Sequence, residues 1–261
     1  MFILGKEIAE KEIYPQLKSY REKFKISPIL AIFSNPKDKV GEKFIKAKQK
    51  SASKAGIKIQ IFYYSTIKQT EEQIAELNNN PKISGIILQL PLPSNYRQEI
   101  IYSIHHFKDV DGFYSNFFMP PVVRAVERVL KEVPFWQEKK ILVVGQGPFF
   151  GKKIYHFLKR KAHNIEAVDN EELLPVLLKK SEIIISCVGK PGLINENNLS
   201  KSFALIDVGT SVVKDKIIGD ISLKLKNRTE FFVPTPGGIG PLTIAYLMDN
   251  VWQAFLRQNN V

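Results

Sequence analysis

Short apolar runs alternate with charged helical stretches along this chain, and this rhythm most constrains the fold. Strands are predicted at residues 27–33, 57–64, 85–90, 139–144, 164–168, 182–188, 203–208 and 231–233. Helices are predicted at residues 6–24, 40–55, 71–79, 171–180 and 242–258, with others between the later strands. Near-continuous apolar strands are typical of parallel sheets that helices cover on both faces. The sequence therefore predicts an α/β fold.

Two domains are predicted in the 261 residues, since a domain of this kind takes roughly 150 residues. The first spans residues 1–116, and the long helix at 242–261 could return to it. The second spans residues 117–241 and has the rhythm of a Rossmann-type, nucleotide-binding sheet.

Composition excludes several classes of protein. The one cysteine, Cys187, excludes a disulfide framework and a Cys-based zinc site, and no histidine has a convincing metal-ligand companion. No apolar run approaches the ~18 residues of a membrane helix, and the first residues lack the apolar core of a signal peptide. We therefore expect a cytoplasmic protein with no metal and no membrane contact.

The formal net charge of +12 has three interpretations. It could indicate a nucleic-acid partner, an anionic substrate drawn by the electrostatic field, or lysines that are simply solvated. The lysines are scattered and form no concentrated basic arm, which favours the last interpretation. We expect no nucleic-acid partner.

A glycine-rich turn follows the predicted strand at residues 139–144. Gly145, Gly147 and Gly151 lie between that strand and a helix, where glycine lets backbone N–H groups approach a pyrophosphate. The alternative is a tight turn without a ligand. Asp169 follows the next strand, about 20 residues on, where an acidic residue commonly accepts a hydrogen bond from the ribose 2′-hydroxyl. Such a carboxylate favours NAD over NADP; alternatively, Asp169 caps the following helix.

Lys48 is the most unusual residue of the predicted helix at 40–55. A stripe of other lysines forms the solvated face, whereas Lys48 projects with Phe44 and Ile45 on the packing side. A desolvated lysine has a lowered pKa that suits acid–base chemistry; the alternative is a lysine that snorkels at the helix edge. Gln89 interrupts an apolar strand. Its side chain therefore either hydrogen-bonds another group of a functional site or hydrogen-bonds backbone groups in a bend before Pro91 and Pro93.

Five segments occur in fixed order and carry a family resemblance: GIILQLPLP, KDVDGF, VGKPGLI, IDVG and PTPGGIGPLTIAYLMDN. Together they resemble the bifunctional methylenetetrahydrofolate dehydrogenase/methenyltetrahydrofolate cyclohydrolase family over nearly the whole chain. The resemblance implies a folate domain, a Rossmann-type domain, a cleft between them, and a homodimer through the Rossmann-type domains. It also implies oxidation of 5,10-methylenetetrahydrofolate with NADP and hydrolysis of the product to 10-formyltetrahydrofolate.

The resemblance assigns roles residue by residue. Lys48 matches the family's catalytic lysine, Gln89 the glutamine that tunes it, and Asp111 the aspartate that binds the pterin ring. Phe44, Gly238 and Pro241 match substrate-binding positions. Gly145 and Gly151 match the family's cofactor turn, and Gln146, Gly147 and Asp169 are the further candidate cofactor-binding residues of this chain.

Departures from the family pattern fall mostly on the cofactor side. Phe44 stands where the family has tyrosine, and Tyr63, Tyr64 and Tyr114 are the hydroxyls that could compensate. Gln146 and Gly147 replace an arginine and a serine that serve a phosphorylated ribose. The sequence thus predicts a dehydrogenase/cyclohydrolase that uses NADP or NAD. The competing hypotheses are a cyclohydrolase-weighted or NAD-using variant and a non-catalytic binding protein.

Overall fold

A computed structural model describes residues 1–169 and 172–260. The chain divides into two compact units, each named here for its sheet. The three-stranded unit comprises Glu10–Pro121 and Ile244–Val261, and the five-stranded unit comprises Met1–Ala9 and Val122–Thr243. Within the described residues, no helix is both long and apolar enough to cross a bilayer.

The helices and strands follow the predicted alternation. The helices are α1 (Gly5–Ile8), α2 (Tyr14–Phe24), α3 (Lys39–Ala55), α4 (Ile67–Asn79), α5 (Pro121–Leu130), α6 (Gly151–Leu158), α7 (Leu174–Lys180) and α8 (Ile239–Gln258). A π-helical turn spans Ala9–Ile13, and 3₁₀ helices span Gln98–Ser103 and Leu223–Arg228.

The strands are β1 (Ile29–Ser34), β2 (Lys58–Tyr63), β3 (Gly85–Leu88), β4 (Lys140–Val144), β5 (Asn164–Val168), β6 (Ile183–Ser186), β7 (Ser202–Asp207), β8 (Ser211–Val213), β9 (Lys216–Ile218) and β10 (Thr229–Val233). Every predicted strand is present. The α/β prediction is confirmed.

The three-stranded unit has the parallel order β2-β1-β3. Helix α3 begins where the Asp38 side chain accepts the Val40 N–H and ends at Gly56, whose φ of 70° is left-handed. The apolar face of α3 is buried, and Trp252 of α8 donates its indole N–H to the Ala55 carbonyl at 2.9 Å. These contacts fix the face that carries Lys48.

The five-stranded unit has the parallel order β10-β7-β6-β4-β5. Strand β4 comes first along the chain and has β5 on one side and β6 on the other, so the direction of winding reverses between β4 and β6. Ligands of doubly wound sheets bind at the carboxyl ends of the strands at this switch point. The fold thus directs attention to the loops that follow β4 and β6.

The structure groups Met1–Ala9 with the five-stranded unit, whereas the sequence assigned these residues to the first domain. The reason is backbone pairing, because the Ile3 N–H donates to the Phe232 carbonyl and the Phe232 N–H donates to the Met1 carbonyl, each at 2.9 Å. The long C-terminal helix begins in the five-stranded unit and enters the other one at Ile244. Val261, the last residue of the predicted 242–261 helix, lies outside the described residues.

Local differences from the predicted elements have local causes. The helix predicted over residues 6–24 is interrupted by the π-helical turn that precedes α2, where Pro15 has no backbone N–H to continue a regular ladder. Helix α4 begins earlier than predicted, because the Thr66 side chain accepts the Gln69 N–H at 3.3 Å. The hairpin of β8 and β9 was not predicted.

Candidate functional site

Lys48 and Gln89 form a direct hydrogen bond in the three-stranded unit. Lys48 Nζ donates to Gln89 Oε1 at 2.7 Å. Gln89 follows β3 directly, and its backbone N–H donates to the Phe33 carbonyl at 2.9 Å. Its side-chain nitrogen donates to the Leu90 carbonyl at 2.8 Å. Because the backbone N–H and the side-chain nitrogen of Gln89 are both hydrogen-bonded, its side-chain oxygen is held toward Lys48.

Asp111 lies on a turn that a second carboxylate organises. Asp109 is 1% exposed, and its side chain accepts the backbone N–H groups of Phe113, Tyr114 and Ser115 at 3.2, 3.1 and 2.9 Å. The segment is tied to the sheet where the Ile86 N–H donates to the Lys108 carbonyl at 2.8 Å. The turn that carries Asp111 is therefore fixed beside β3.

Burial moves the pKa values of Lys48 and Asp111 toward each other. Desolvation lowers the pKa of Lys48, and the negative charge of Asp111 opposes this. Desolvation raises the pKa of Asp111 to about 7; the Lys48 charge lowers it and the Asp109 charge raises it. Both residues are partly exposed to solvent as a whole, although their charged ends are desolvated. A lysine whose pKa is lowered suits proton transfer.

Phe44 precedes Lys48 by one helical turn on α3 and is partly exposed. Among the three tyrosines considered as hydroxyl sources, Tyr64 is the one that contacts Gln89: its hydroxyl donates to the Gln89 carbonyl at 3.4 Å. Tyr63 is 58% exposed, and the Tyr114 hydroxyl donates to the Ile104 carbonyl. Tyr64 thus contacts the backbone of Gln89, whereas Lys48 contacts the side chain of the same residue.

The glycine turn of the five-stranded unit follows β4. Gly145 has a φ of 90°, and its N–H donates to the Val168 carbonyl at 2.8 Å. A Cβ on Gly151 would lie 1.8 Å from the Gly145 carbonyl oxygen, so only glycine allows α6 to begin against the turn. A Cβ on Gly147 would meet no protein atom within 4 Å. The turn is tight at its two ends and open at its middle.

Asp169 contacts the same turn. Its Oδ1 accepts the Gln146 backbone N–H at 2.6 Å. The alternative prediction, that Asp169 caps the next helix, is wrong, because α7 begins only at Leu174 and Leu173 occupies its N-cap position. Residues 170 and 171, the second of which belongs to the predicted helix at 171–180, lie outside the described residues.

A shallow pocket lies at the switch point of the five-stranded sheet. Its lining includes Gly145, Val168, Asp169, Val188 and Leu193. A larger hollow, lined by residues 200–201 and 227–230, lies at the amino ends of β7 and β10. Ligands of such sheets bind at the carboxyl ends, so the shallow pocket is the candidate site for the predicted dinucleotide.

Gly238 and Pro241 lie where β10 passes into α8. A Cβ on Gly238 would lie 2.4 Å from the Pro234 carbonyl oxygen, and the Gly238 carbonyl oxygen occupies the place of a Cβ on Gly5. The Lys6 N–H donates to the Gly237 carbonyl at 3.2 Å. The loop is therefore fixed against α1; its contact with a substrate stays a prediction.

Comparison with known proteins decides the family. Residues 3–111 match the model of the tetrahydrofolate dehydrogenase/cyclohydrolase catalytic domain, and residues 120–259 match that of the NAD(P)-binding domain. The chain belongs to the tetrahydrofolate dehydrogenase/cyclohydrolase family. The resemblance recognised in the sequence is thereby confirmed.

Relatives match this family member over nearly its whole length. A bifunctional protein FolD of Thermodesulfovibrio yellowstonii is 31% identical, over 98% of this chain and 97% of its own. One from Mycoplasma pneumoniae is 32% identical, over 95% of both chains. The crystal structure of the bifunctional 5,10-methylenetetrahydrofolate dehydrogenase/cyclohydrolase from Thermoplasma acidophilum superposes with a TM-score of 0.88, at 27% identity and full coverage of both chains.

The family's chemistry needs a folate, a nicotinamide cofactor and proton transfer. The described residues contain no group of three or more His, Cys, Asp or Glu side chains arranged to hold a metal ion. Lys48, Gln89 and Asp111, singled out from the sequence, come together in the three-stranded unit. Gly145, Gln146, Gly147, Gly151 and Asp169 come together in the other. Asp109, in the KDVDGF segment, has no role assigned from the sequence, because its burial and its three N–H partners follow from the fold.

Proposed function

We propose that this chain oxidises 5,10-methylenetetrahydrofolate to 5,10-methenyltetrahydrofolate and hydrolyses the product to 10-formyltetrahydrofolate. The observation that carries the proposal is the 2.7 Å hydrogen bond from Lys48 Nζ to Gln89 Oε1, in a site where burial lowers the pKa of the lysine. A non-catalytic binding protein is not favoured, since it has no use for a desolvated lysine that is costly to keep.

Lys48 is the group that moves the proton in this proposal. With a lowered pKa, its amine takes a proton from the water that attacks the methenyl carbon and returns it to folate N5 as the bond between N5 and that carbon breaks. The remaining hydroxyl proton leaves to solvent as the 10-formyl group forms. Gln89 holds Nζ in place by its fixed side-chain oxygen. Asp111 binds the pterin ring, whose N–H groups suit a carboxylate acceptor.

The five-stranded unit holds the nicotinamide dinucleotide in this proposal. The cofactor's pyrophosphate fits the open middle of the glycine turn, where the protein leaves the Cβ position of Gly147 free, at the N-terminus of α6. When bound, the cofactor supplies a hydride acceptor. Gly145 and Gly151 keep the turn tight enough for its N–H groups to approach a phosphate.

The test of the whole proposal uses the purified chain. Offered 5,10-methylenetetrahydrofolate with NADP or NAD in parallel, it is expected to produce reduced nicotinamide, followed by absorbance. Given 5,10-methenyltetrahydrofolate alone, it is expected to hydrolyse the compound faster than buffer does. Failure of both reactions, with either dinucleotide, would reject the proposal.

We further propose that the dinucleotide is NAD rather than NADP. The support is the position of Asp169, whose carboxylate is bound to the Gln146 N–H in the lining of the pocket. There it is placed to accept from a ribose 2′-hydroxyl and to repel a 2′-phosphate. We expect Asp169→Asn to shift the ratio of kcat/KM for NADP over NAD upward by about tenfold, the effect of roughly 1.4 kcal/mol.

Glu166→Gln is the matched control, because Glu166 is an exposed carboxylate on β5 and its loss changes the net charge equally. It should leave the ratio within about twofold. An Asp169→Asn enzyme with an unchanged ratio would contradict the assignment of Asp169 to cofactor choice.

Two finer expectations from the sequence also belong to this proposal. The family resemblance supports a homodimer through the five-stranded unit, and the mass of the purified chain in solution tests it. The composition, with its single cysteine, supports a cytoplasmic location, which cell fractionation tests.

A further inference from the structure

Two carboxylates lie fully buried in the five-stranded unit and have no part in the proposed chemistry. Asp207 ends β7 and Asp220 follows β9, and each is 0% exposed. A buried carboxylate is costly unless its oxygens are hydrogen-bonded. The partners of these two residues therefore show what their burial serves.

Asp220 binds one continuous segment, the end of β6 and the loop after it. Its carboxylate accepts from the Ser186 hydroxyl at 2.7 Å, the Val188 N–H at 2.8 Å and the Lys190 N–H at 2.7 Å. The carboxyl group also fills the space beside Gly209, where a Cβ would lie 2.0 Å from Asp220 Oδ2. Asp220 thus sets the path of residues 187–190.

Asp207 holds the backbone that carries Asp220. Its two oxygens accept the Asp220 N–H at 3.1 Å and the Ile221 N–H at 3.2 Å. Burial, reinforced by the nearby Asp220 charge, raises the pKa of Asp207 to about 8. Asp207 thus holds the backbone of residues 220 and 221 in place with both of its oxygens.

The loop that Asp220 fixes lies at the switch point of the sheet. A Cβ on Gly145 would lie 3.0 Å from the Cys187 carbonyl carbon and oxygen and from the Val188 side chain, so the loops after β4 and β6 are in contact. Val188 lines the shallow pocket together with Gly145 and Asp169. A shift of residues 187–190 would change one wall of that pocket.

We propose that Asp220, held in place by Asp207, is a positioning residue for dinucleotide binding: it fixes residues 187–190 as a wall of the cofactor pocket. The inference rests on the proposed function, because it takes that pocket to be the dinucleotide site. Hydrolysis of the methenyl compound is redox-neutral and uses no dinucleotide. Loss of Asp220 should therefore weaken one of the two activities and spare the other.

The test is Asp220→Asn, which keeps the shape of the side chain but turns one acceptor into a donor that faces the hydroxyl and N–H partners. We expect the dissociation constant for NADH or NADPH, whichever the unchanged protein binds more tightly, to rise roughly ten- to hundredfold in a fluorescence titration. The KM for the oxidised dinucleotide should rise with it. Methenyltetrahydrofolate hydrolysis should stay within about twofold.

Ser186→Ala covers the case in which Asp220→Asn does not fold, because it removes one donor and leaves the carboxylate. It should weaken dinucleotide binding about three- to tenfold. Ser202→Ala is the matched control: Ser202 is a buried serine of the same sheet, but its hydroxyl donates to the Glu182 carbonyl at 2.7 Å. It should leave the dinucleotide dissociation constant unchanged.

Unchanged dinucleotide binding in Asp220→Asn and Ser186→Ala would overturn the inference. So would a parallel loss of binding, hydrolysis and melting temperature in every folded variant, since that pattern indicates general destabilisation. An unchanged protein that binds dinucleotide but performs neither reaction would reject the proposed function alone. The binding titration would still decide the role of Asp220.

Discussion

Replacing Lys48 by methionine is expected to reduce the hydrolysis of 5,10-methenyltetrahydrofolate by at least about a hundredfold, since positioned proton transfer contributes roughly 10²–10⁴. Methionine keeps the length and packing of the side chain on α3. It removes the donor to Gln89 Oε1 and the amine that moves the proton. The measurement is kcat/KM for hydrolysis, followed by loss of methenyl absorbance.

Lys50→Met is the control for this experiment. Lys50 lies on the same helix, two residues on, and its side chain is exposed, so the substitution removes one lysine charge from α3 without touching Gln89. Its rate should stay within about twofold of the unchanged protein, because an exposed charge is screened by solvent. A Lys48→Met enzyme that kept more than a tenth of the rate would contradict the catalytic role.

A second readout of Lys48→Met does not depend on activity. The Lys48 charge lowers the pKa of Asp111, which burial and Asp109 hold at about 7. Removal of the lysine should therefore move the Asp111 pKa upward, as measured by NMR titration of the carboxyl carbon.

In the unchanged enzyme, the rate of hydrolysis should decline as pH falls through about 7, because Asp111 then takes up a proton and loses its negative charge.

Helical periodicity identified Lys48, but it could not identify Lys108, a buried lysine outside any helix. On α3 the apolar stripe and the solvated lysines define two faces, and a lysine on the apolar face stands out. Lys108 is 6% exposed and donates to the Leu77 and Asn80 carbonyls, each at 2.7 Å. It lies in an irregular segment with no period, so its burial depends on contacts with α4 that only the fold provides.

On the cofactor side, too, features with a local sequence signal could be predicted, whereas features that depend on contacts between distant residues could not. Gly145 and Gly151 were predicted from local context, since a strand, a glycine turn and a helix follow one another directly. Asp220 was not, because its partners Ser186 and Val188 are distant in sequence, and an aspartate after glycine is typical of a turn. Carboxylates that organise loops across a sheet leave no periodic signal in the chain.

The hairpin of β8 and β9 was also missed for a physical reason. Each strand has three residues, too few for an alternation of apolar and polar side chains to be read. Its turn uses positive φ at Lys214 and Asp215, where a turn of this kind ordinarily has glycine or asparagine. Propensity rules therefore indicate a loop there.

Replacing Gly151 by alanine is expected to remove dinucleotide binding almost completely, with a loss of at least about a hundredfold in affinity. A Cβ at this position would lie 1.8 Å from the Gly145 carbonyl oxygen and 2.8 Å from its carbon. The Gly145 carbonyl belongs to the backbone and cannot rotate away as a side chain can. Helix α6 of Gly151→Ala must therefore move away from the turn. The N–H groups at the start of α6 then no longer point at the pyrophosphate. NADH and NADPH titrations measure the loss.

Gly147→Ala distinguishes a loss of dinucleotide affinity caused by strain within the protein from a loss caused by contact with the ligand. Its added Cβ meets no protein atom within 4 Å, so the melting temperature should stay unchanged, whereas Gly151→Ala should lower it. If the open space beside Gly147 receives the pyrophosphate, Gly147→Ala should still weaken dinucleotide binding by about tenfold. Hydrolysis of methenyltetrahydrofolate should persist in Gly147→Ala, because Lys48, Gln89 and Asp111 belong to the other unit. Full dinucleotide affinity in Gly151→Ala would contradict the assignment of this turn to the cofactor.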